Sequence, residues 1–259
     1  MRNIFIIMPC FNGEKYLRNS IESFIDQDYE DKHLLIIDNK STDNSHQIIS
    51  HYTNRNARIK WIKTTDRGIS DAINIGISSI PDNAIFGYLG ADDILIPGTL
   101  RIIGQSLCDF NFANAIGFES LTHHVNKASI HHKFPCNELT VKNLSKYGTI
   151  FGLQNFYCDA KIVKSLKFNE QKKYAMDFDF YYRASKLNLL KTILHPYVST
   201  INIQDNNIST KYALNGYKER IETIESVSGK SLFTRKERIK YFLMYIKSTI
   251  RNFLKKSFP

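Results

Sequence analysis

Cysteine is scarce in this 259-residue chain, and its cysteines are not spaced as in disulfide-stabilised or zinc-finger proteins. The four cysteines lie far apart and form no CxxC pair, at Cys10, Cys108, Cys136 and Cys158. This spacing predicts neither a disulfide framework nor a zinc finger, and it favours a reducing cytoplasm. The chain also lacks any run of about 18 uncharged apolar residues, so the sequence predicts no membrane-spanning helix.

Glycine-rich phosphate loops are missing as well. The sequence contains neither a Walker motif nor a GxGxxG fingerprint, so a nucleotide ligand would need another source of positive charge for its phosphates. The chain also has no internal repeat and no low-complexity linker. We therefore expect one main core with an extension at its C-terminal end.

Charge is distributed unevenly along the chain. A formal net charge of +10 indicates an acidic partner, which could be nucleic acid, anionic lipid or a phosphorylated substrate. In the first hundred residues, the numbers of acidic and basic side chains are nearly equal. After Thr234, by contrast, eight lysines and arginines face a single acid, Glu237. The basic character therefore belongs largely to the end of the chain.

Segment 234–259 is predicted to form a basic amphipathic helix. Its apolar residues fall on one stripe of a helical wheel, and most of its basic residues lie at the edges of that stripe or opposite it. This pattern is typical of a helix peripheral to an anionic membrane surface, here the inner face of the cytoplasmic membrane. It equally suits a helix packed on the domain, or a dimer contact. Nucleic acid is not favoured as a partner, because basic and aromatic residues are not interleaved along a wider face.

Apolar runs and helical patterns alternate in the first hundred residues. Short β-branched runs predict buried strands at 4–8, 34–37, 59–62 and 85–89, with helices between them at 17–25, 45–52 and 70–80. This alternation predicts an α/β fold with a mostly parallel sheet flanked by helices. Farther along, the pattern predicts a helix at 100–107, antiparallel strands within 115–133, a loop-rich stretch from Leu139 and a helix at 178–187.

Polar residues stand just beyond the predicted strands, at Asn12, Asp38, Asp66, Asp92 and Asp93. Because the carboxyl ends of parallel strands meet at one crevice, we expect four carboxylates to face each other there. Such a cluster repels itself unless a cation or hydrogen-bond donors fill it. Mg²⁺ or Mn²⁺, held by one or two carboxylates and completed by diphosphate oxygens and water, suits this arrangement.

Four ordered motifs follow the predicted strands, at residues 6–12 (IIMPCFN), 36–43 (IIDNKSTD), 66–76 (DRGISDAINIG) and 88–93 (YLGADD). Together they resemble the ordered motifs of glycosyltransferase family 2, an inverting family with the Rossmann-like GT-A fold. The third segment looks most like the branch that builds bacterial surface polysaccharides. The resemblance implies inverting transfer of a sugar from a nucleotide diphosphate sugar, with UDP favoured as the nucleotide, to a glycan or lipid-linked acceptor.

The resemblance also implies a nucleotide site at the strand ends. Pro9 and Asn12 would shape the nucleotide pocket. Asp38 would accept a hydrogen bond from the base, and Asp66 would help to hold the base or ribose. One departure from the family pattern lies here, since Asn39 replaces the second acid of the usual pair.

At the diphosphate end, the resemblance implies that Asp92 and Asp93 include the ligand of the bridging metal, and that Asp92 contacts the donor. Spacing leaves open which of the two binds the ion. Gly68 and Asn74, from the third motif, complete the expected donor site. Gly90 stands where many relatives carry the first acid of an Asp-x-Asp triplet.

The catalytic base is expected in the second half of the chain. An inverting transfer needs a carboxylate to remove the proton of the acceptor hydroxyl. Residues 175–183 (AMDFDFYYR) resemble the family segment in which an acid opens a helix and serves as that base. Asp177 is the expected base and Asp179 the alternative, although Asp177 could simply cap the helix. We expect the helix N-terminus to hold the pKa of Asp177 low. Gln154 is expected on the acceptor side.

These expectations divide the chain into a donor-binding half, 1–100, an acceptor-binding half of the same domain, 101–233, and the helix 234–259. Two other classes of function remain open. A nucleotidyltransferase also needs a metal-bound diphosphate, but it normally carries a glycine-rich basic loop after its first strand, which segment 9–13 lacks. A non-catalytic polysaccharide or nucleic-acid binder would not need the acids at the strand ends.

Overall fold

A nine-stranded sheet runs through the protein and carries helices on both faces. The computed structural model describes residues 2–108, 112–124, 127–204, 212–229 and 243. The predicted helix 234–259 lies outside the described residues, apart from Leu243. Within the described ranges, no helix combines the length and the apolar character needed to cross a bilayer.

The strands are β1 (Ile4–Cys10), β2 (Lys32–Asp38), β3 (Ile59–Lys63), β4 (Ile85–Tyr88), β5 (Asp93–Leu95), β6 (Ala115–His124), β7 (Lys127–His132), β8 (Phe156–Asp159) and β9 (Thr192–Gln204). The helices are α1 (Leu17–Ile25), α2 (Ser45–Thr53), α3 (Ile69–Ser78), α4 (Thr99–Ser106), α5 (Val141–Tyr147), α6 (Ala160–Leu166), α7 (Met176–Lys186) and α8 (Ala213–Ser228). A short 3₁₀ helix spans Leu153–Asn155.

The first four strands form the parallel part of the sheet, in the order β3-β2-β1-β4. In their register Cys10 lies beside Asp38, and Asp38 lies beside Lys63. The carboxyl ends of these strands therefore meet at one edge of the sheet, as the alternating pattern predicts. The loops that follow them form the crevice in which the candidate site lies.

The second half of the chain completes the sheet with mixed pairing. β8 is antiparallel to β4 and β6, β9 is parallel to β6, and β5 is antiparallel to β9. The antiparallel strands expected within 115–133 are β6 and β7. The stretch from Leu139, expected to be rich in loops, instead contains α5. The Thr140 hydroxyl caps that helix by accepting from the Asn143 amide at 3.2 Å.

The two faces of β1 contribute to two apolar cores. Ile4, Ile6 and Met8 pack with α1 and α2 on one face, and Ile7 packs with α3 on the other. All four side chains are fully buried, and each such burial contributes roughly 1.5–3 kcal/mol. Both cores also include residues from the second half of the chain. The halves 1–100 and 101–233 thus share one sheet, and their separate donor and acceptor roles stay a prediction.

Candidate active site

Two loops at the carboxyl edge of the sheet are tied to each other. Asn12 has a left-handed backbone (φ 52°), and its side-chain oxygen accepts from the Thr42 amide at 2.8 Å. The Asn12 amide donates to the Ser41 hydroxyl and the Gly13 amide donates to the Ser45 hydroxyl, both at 2.9 Å. Asn12 therefore shapes the β1–α1 loop. A contact of Asn12 or Pro9 with a nucleotide stays a prediction.

Asp38 ends β2 and is fully buried. One carboxylate oxygen accepts from the Ser41 hydroxyl at 2.6 Å and from the Ser41 amide at 3.2 Å. The other oxygen lies 2.8 Å from Nε2 of His46, whose side chain is 41% exposed. In this arrangement Asp38 orders the β2–α2 loop and holds His46. Because Asp38 is fully buried, a direct contact between Asp38 and a base would require the residues around it to move.

Asn39 and Asp66 form a reciprocal pair beside that loop. The Asn39 side chain donates to the Asp66 carboxylate at 3.1 Å, and the Asp66 amide donates back to the Asn39 side-chain oxygen at 3.2 Å. Burial raises the pKa of Asp66, and the charges of Asp71 and Asp38 raise it further. An acid in place of Asn39 would add another negative charge here. The amide instead supplies a donor, so this departure from the family pattern fits its surroundings.

The third motif contributes backbone geometry and one tie between segments. Gly68 precedes α3 with φ 135°, which glycine alone adopts without strain. Both ends of the Asn74 amide group bond to the main chain of Phe168 at 2.9 Å. Asn74 thereby joins α3 to the segment that leads into α7. The donor contact that the sequence predicts for Asn74 stays a prediction.

The acidic pair lies where β4 ends and β5 begins. Asp93 is only 3% exposed, and its carboxylate accepts from the Gly90 amide at 3.1 Å and from the Asn202 side chain at 2.5 Å. The Asp92 side chain is exposed. A Cβ atom on Gly90 would lie 2.6 Å from the Asp93 carboxylate and 2.8 Å from that of Asp92. Both carboxylates therefore close over position 90, and this explains why a glycine stands there.

The charges of this pair suit a divalent cation. Burial raises the pKa of Asp93 to about 7, and the neighbouring charge of Asp92 adds to the shift. Among the described residues, no group of three or more His, Cys, Asp or Glu side chains could hold a metal alone. The pair fits a hard ion that takes its remaining ligands from diphosphate oxygens and water. Asp92 is the more accessible of the two carboxylates, and their role as metal ligands stays a prediction.

Asp177 lies in the first turn of α7 and is partly buried. One of its oxygens accepts from the Phe178 amide at 2.7 Å. Burial raises the pKa of Asp177 to about 6, although that bond and the charge of Arg220 lower it. The expectation of a low pKa is therefore wrong, because burial outweighs the helix terminus. At neutral pH a carboxyl with this pKa is ionised and well matched to proton transfer.

Asp179, the alternative base, is engaged elsewhere. It is 3% exposed, and its two oxygens accept from Arg183 at 2.7 Å and from the Thr223 hydroxyl at 3.0 Å. These bonds tie α7 to its own next turn and to α8. Both oxygens of Asp179 are therefore engaged within the protein, and the choice of Asp177 as the base stays a prediction.

The Tyr88 phenol is affected by the charges of both the acidic pair and Asp177. Burial raises the pKa of this phenol, and the charges of Asp93, Asp92 and Asp177 raise it further. All three acids are therefore close enough to act on the same phenol through their charge. The fold brings together the two groups of acids that the sequence assigns to donor and acceptor halves.

Two further side chains complete the description of the crevice. Phe11 is 64% exposed in the β1–α1 loop, directly before Asn12. Phe11 is an aromatic residue in a loop of otherwise small and polar ones, and the resemblance of segment 6–12 implies no role for it. Gln154 lies in the short 3₁₀ helix, with its side chain over Gly152. Its acceptor role stays a prediction.

The motifs and the fold agree with known relatives. Residues 5–153 match the family model described as Glycosyl transferase family 2, which covers more than half of the chain. The chain belongs to glycosyltransferase family 2. This glycosyltransferase is 36% identical over 114 residues to the minor teichoic acid biosynthesis protein GgaA of Bacillus subtilis. That match covers 42% of this chain and 26% of GgaA, so the chain spans only part of that relative's length.

Solved structures confirm the GT-A fold of this glycosyltransferase. Staphylococcus aureus TarS 1–349, in complex with UDP-GlcNAc, superposes with a TM-score of 0.70 at 17% identity, covering 97% of this chain and 72% of TarS. The mannosyltransferase PcManGT from Pyrobaculum calidifontis, in complex with GDP-Man and Mn²⁺, gives 0.65 at 13% identity, covering 89% and 65%. The family and enzyme class that the four motifs predict are confirmed, and the nucleotidyltransferase and binder alternatives are set aside.

Proposed function

We propose that this glycosyltransferase transfers a sugar from a UDP-linked donor, with inversion, to a glycan or lipid-linked acceptor in the synthesis of a bacterial surface polymer. The observation that carries the proposal is the convergence of Asp92, Asp93 and Asp177 around Tyr88. The UDP-GlcNAc bound to TarS and the teichoic acid role in the name of GgaA support the donor and the polymer.

The diphosphate end of the donor is assigned to the acidic pair. Asp92 would hold Mn²⁺ or Mg²⁺, while Asn202 and Gly90 keep the Asp93 carboxylate in place behind it. The bound ion would supply positive charge for the diphosphate leaving group.

Asp177 is assigned to proton transfer. Its carboxylate takes the proton of the acceptor hydroxyl as that oxygen attacks the anomeric carbon. The bond to the acceptor oxygen forms on one face of the sugar while the bond to the diphosphate oxygen breaks on the other. A single displacement of this kind inverts the anomeric centre and needs no covalent enzyme intermediate.

The nucleotide end is assigned to Phe11, with Asn39 and Asp66 as the polar groups beside it. An exposed aromatic ring next to a nucleotide pocket offers a stacking surface to the base. Phe11→Ala is expected to weaken UDP binding roughly 5- to 150-fold, equivalent to about 1–3 kcal/mol. It should leave the melting temperature unchanged, because the ring is 64% exposed. Calorimetry with UDP and Mn²⁺ measures the effect.

A matched control is Phe112→Ala, which removes another exposed ring, 76% accessible, from a different part of the surface. Its UDP affinity should equal that of the wild type. Equal affinities for the two variants would remove Phe11 from the nucleotide site.

Inversion is tested by the configuration of the first sugar product. Proton NMR can follow turnover of an α-linked UDP-sugar with Mn²⁺, with water as the acceptor. The β anomer is expected to appear first and to mutarotate afterwards. Initial release of the α anomer would show a retaining enzyme and contradict the proposal.

A further inference from the structure

The segment 167–175 leads into α7, and neighbouring helices hold it from two sides. From α3, Asn74 bonds to the main chain of Phe168 at 2.9 Å. From the loop before α3, Arg67 pairs with Glu170 at 2.5 Å. From α8, Glu219 bonds to the last three residues of the segment. The position at which α7 begins is therefore set by side chains from outside α7.

The Glu219 carboxylate accepts three consecutive backbone donors. The amides of Lys173, Tyr174 and Ala175 lie 3.0, 2.8 and 2.8 Å from its oxygens. Ala175 is the N-cap residue of α7 and has no side chain that could satisfy the free amides of a helix start. A carboxylate is favoured at this end of a helix, and its hydrogen bonds are charge-assisted. Glu219 thus fixes the turn that leads into α7 and, of the free amides at the helix start, it satisfies that of Ala175.

We infer that Glu219 is a positioning residue for the catalytic base, holding the turn that sets the location of the Asp177 carboxylate. The inference rests on the proposed function, in which Asp177 is that base. Asp177 follows Ala175 by two residues, so any shift of this turn moves its carboxylate directly. A misplacement of about 1 Å at a reacting group can cost about 100-fold in rate.

Arg220, the next residue of α8, reinforces this role. Its guanidinium carbon lies 4.9 Å from the centre of the Phe178 ring, in the same turn as Asp177. It also fills the space over Gly148, where a Cβ atom would lie 2.4 Å from the guanidinium group. Adjacent residues of α8 therefore hold the backbone before Asp177 and pack on the residue after it.

A purely structural role for Glu219 is the competing explanation, and α8 provides a matched control. Glu222 lies three residues farther along the same helix and pairs with the Lys172 side chain at 2.8 Å. That bond joins a largely buried Lys172 side chain to a half-exposed Glu222, and it touches no backbone donor of the turn. Glu222→Gln therefore makes the same chemical change on the same helix without releasing the amides of 173–175.

The experiment compares Glu219→Gln, Glu222→Gln and Asp177→Asn. Hydrogen exchange reports the amides of 173–175, and UDP release measures turnover with Mn²⁺, using the UDP-sugar that the wild type turns over fastest. Glu219→Gln should lose amide protection and about 10- to 100-fold in kcat, with UDP affinity within about 2-fold of wild type. Glu222→Gln should match the wild type in amide protection, in kcat and in UDP affinity.

The pH profile separates positioning from loss of stability. The charged groups around Asp177 are Glu219 and Arg220 of α8, and the phenols of Tyr88 and Tyr181 also face it. The charge of Glu219 raises the pKa of Asp177. The acid limb of kcat should therefore move to lower pH in Glu219→Gln, which a change in folding alone would not produce.

The results that overturn the inference differ from those that overturn the proposed function. Equal kcat for Glu219→Gln and Glu222→Gln, with Asp177→Asn inactive, overturns the role of Glu219 alone. Full turnover by Asp177→Asn overturns the base assignment and the inference with it. If Glu219→Gln does not fold, Glu219→Asp retains the charge on a side chain one methylene shorter. It should show a partial loss of kcat, and wild-type turnover would overturn the inference.

Discussion

Replacing Asp177 with Asn is expected to lower kcat about 10³-fold, the middle of the range that a positioned general base contributes. The amide has nearly the shape of the carboxylate, and its oxygen can still accept from the Phe178 amide. It cannot take the proton of the acceptor hydroxyl. Donor binding should therefore survive. UDP release at saturating UDP-sugar and Mn²⁺ measures the loss.

The pH dependence of the wild type gives the same prediction a second observable. Burial raises the pKa of Asp177 to about 6, and catalysis needs the ionised form. kcat should therefore be constant above that pH and fall as the pH drops through about 6. An ordinary aspartate would place this limb near pH 4. The residual activity of Asp177→Asn should lack the limb.

Asp179→Asn is the control for the base assignment. It disturbs the bonds to Arg183 and Thr223, so it should lower the melting temperature. It should retain the acid limb near pH 6. If the limb persisted in Asp177→Asn, or was lost only in Asp179→Asn, the assignment of Asp177 as the base would be wrong.

Replacing Asp92 with Asn is expected to remove the metal-dependent part of donor binding. Asp92 is the exposed member of the pair, and an amide lacks the charge that a hard divalent cation requires. The affinity for UDP in Mn²⁺ should fall roughly 100-fold, equivalent to about 2.7 kcal/mol. It should then match the affinity of the wild type in a chelator. Calorimetric titration of UDP with and without Mn²⁺ provides both values.

Asp82→Asn is the matched control for this prediction. Asp82 is a surface acid, 65% exposed, that pairs with Lys164 before β4 begins. Its removal should leave both affinities at wild-type values. If Asp92→Asn retained a metal-dependent gain in UDP affinity, the assignment of Asp92 as the ligand would be wrong.

The strands at the centre of the sheet are predictable from sequence because their burial is local and continuous. β1 and β2 contain short apolar runs, which are followed by Pro9 and Asp38, and the ends of these strands, at Cys10 and Asp38, locate the crevice. β9 could not be predicted from the sequence because its strand pattern is interrupted. Its register against β6 shifts between His195 and Val198, around Pro196, which cannot donate to the ladder.

Some features of the site could likewise be predicted from the sequence, and others could not. The motif around Asp92 and Asp93 is local, so its presence could be predicted. Which acid is buried depends on Asn202, 109 residues from Asp93 along the chain. The raised pKa of Asp177 likewise reflects packing against distant segments, which a helix-terminus argument omits. Glu219 lies in none of the sequence motifs, and its role depends on the packing of α8 against the turn before α7.

The central claim is that Asp92 and Asp177 perform separable tasks in one site around Tyr88. Its most direct test is a calorimetric titration of UDP into Asp92→Asn and Asp177→Asn, both in Mn²⁺. Asp177→Asn, inactive in transfer, should bind UDP as the wild type does, and Asp92→Asn should bind it roughly 100-fold more weakly. Wild-type affinity in Asp92→Asn, or a comparable loss in both variants, would contradict the account.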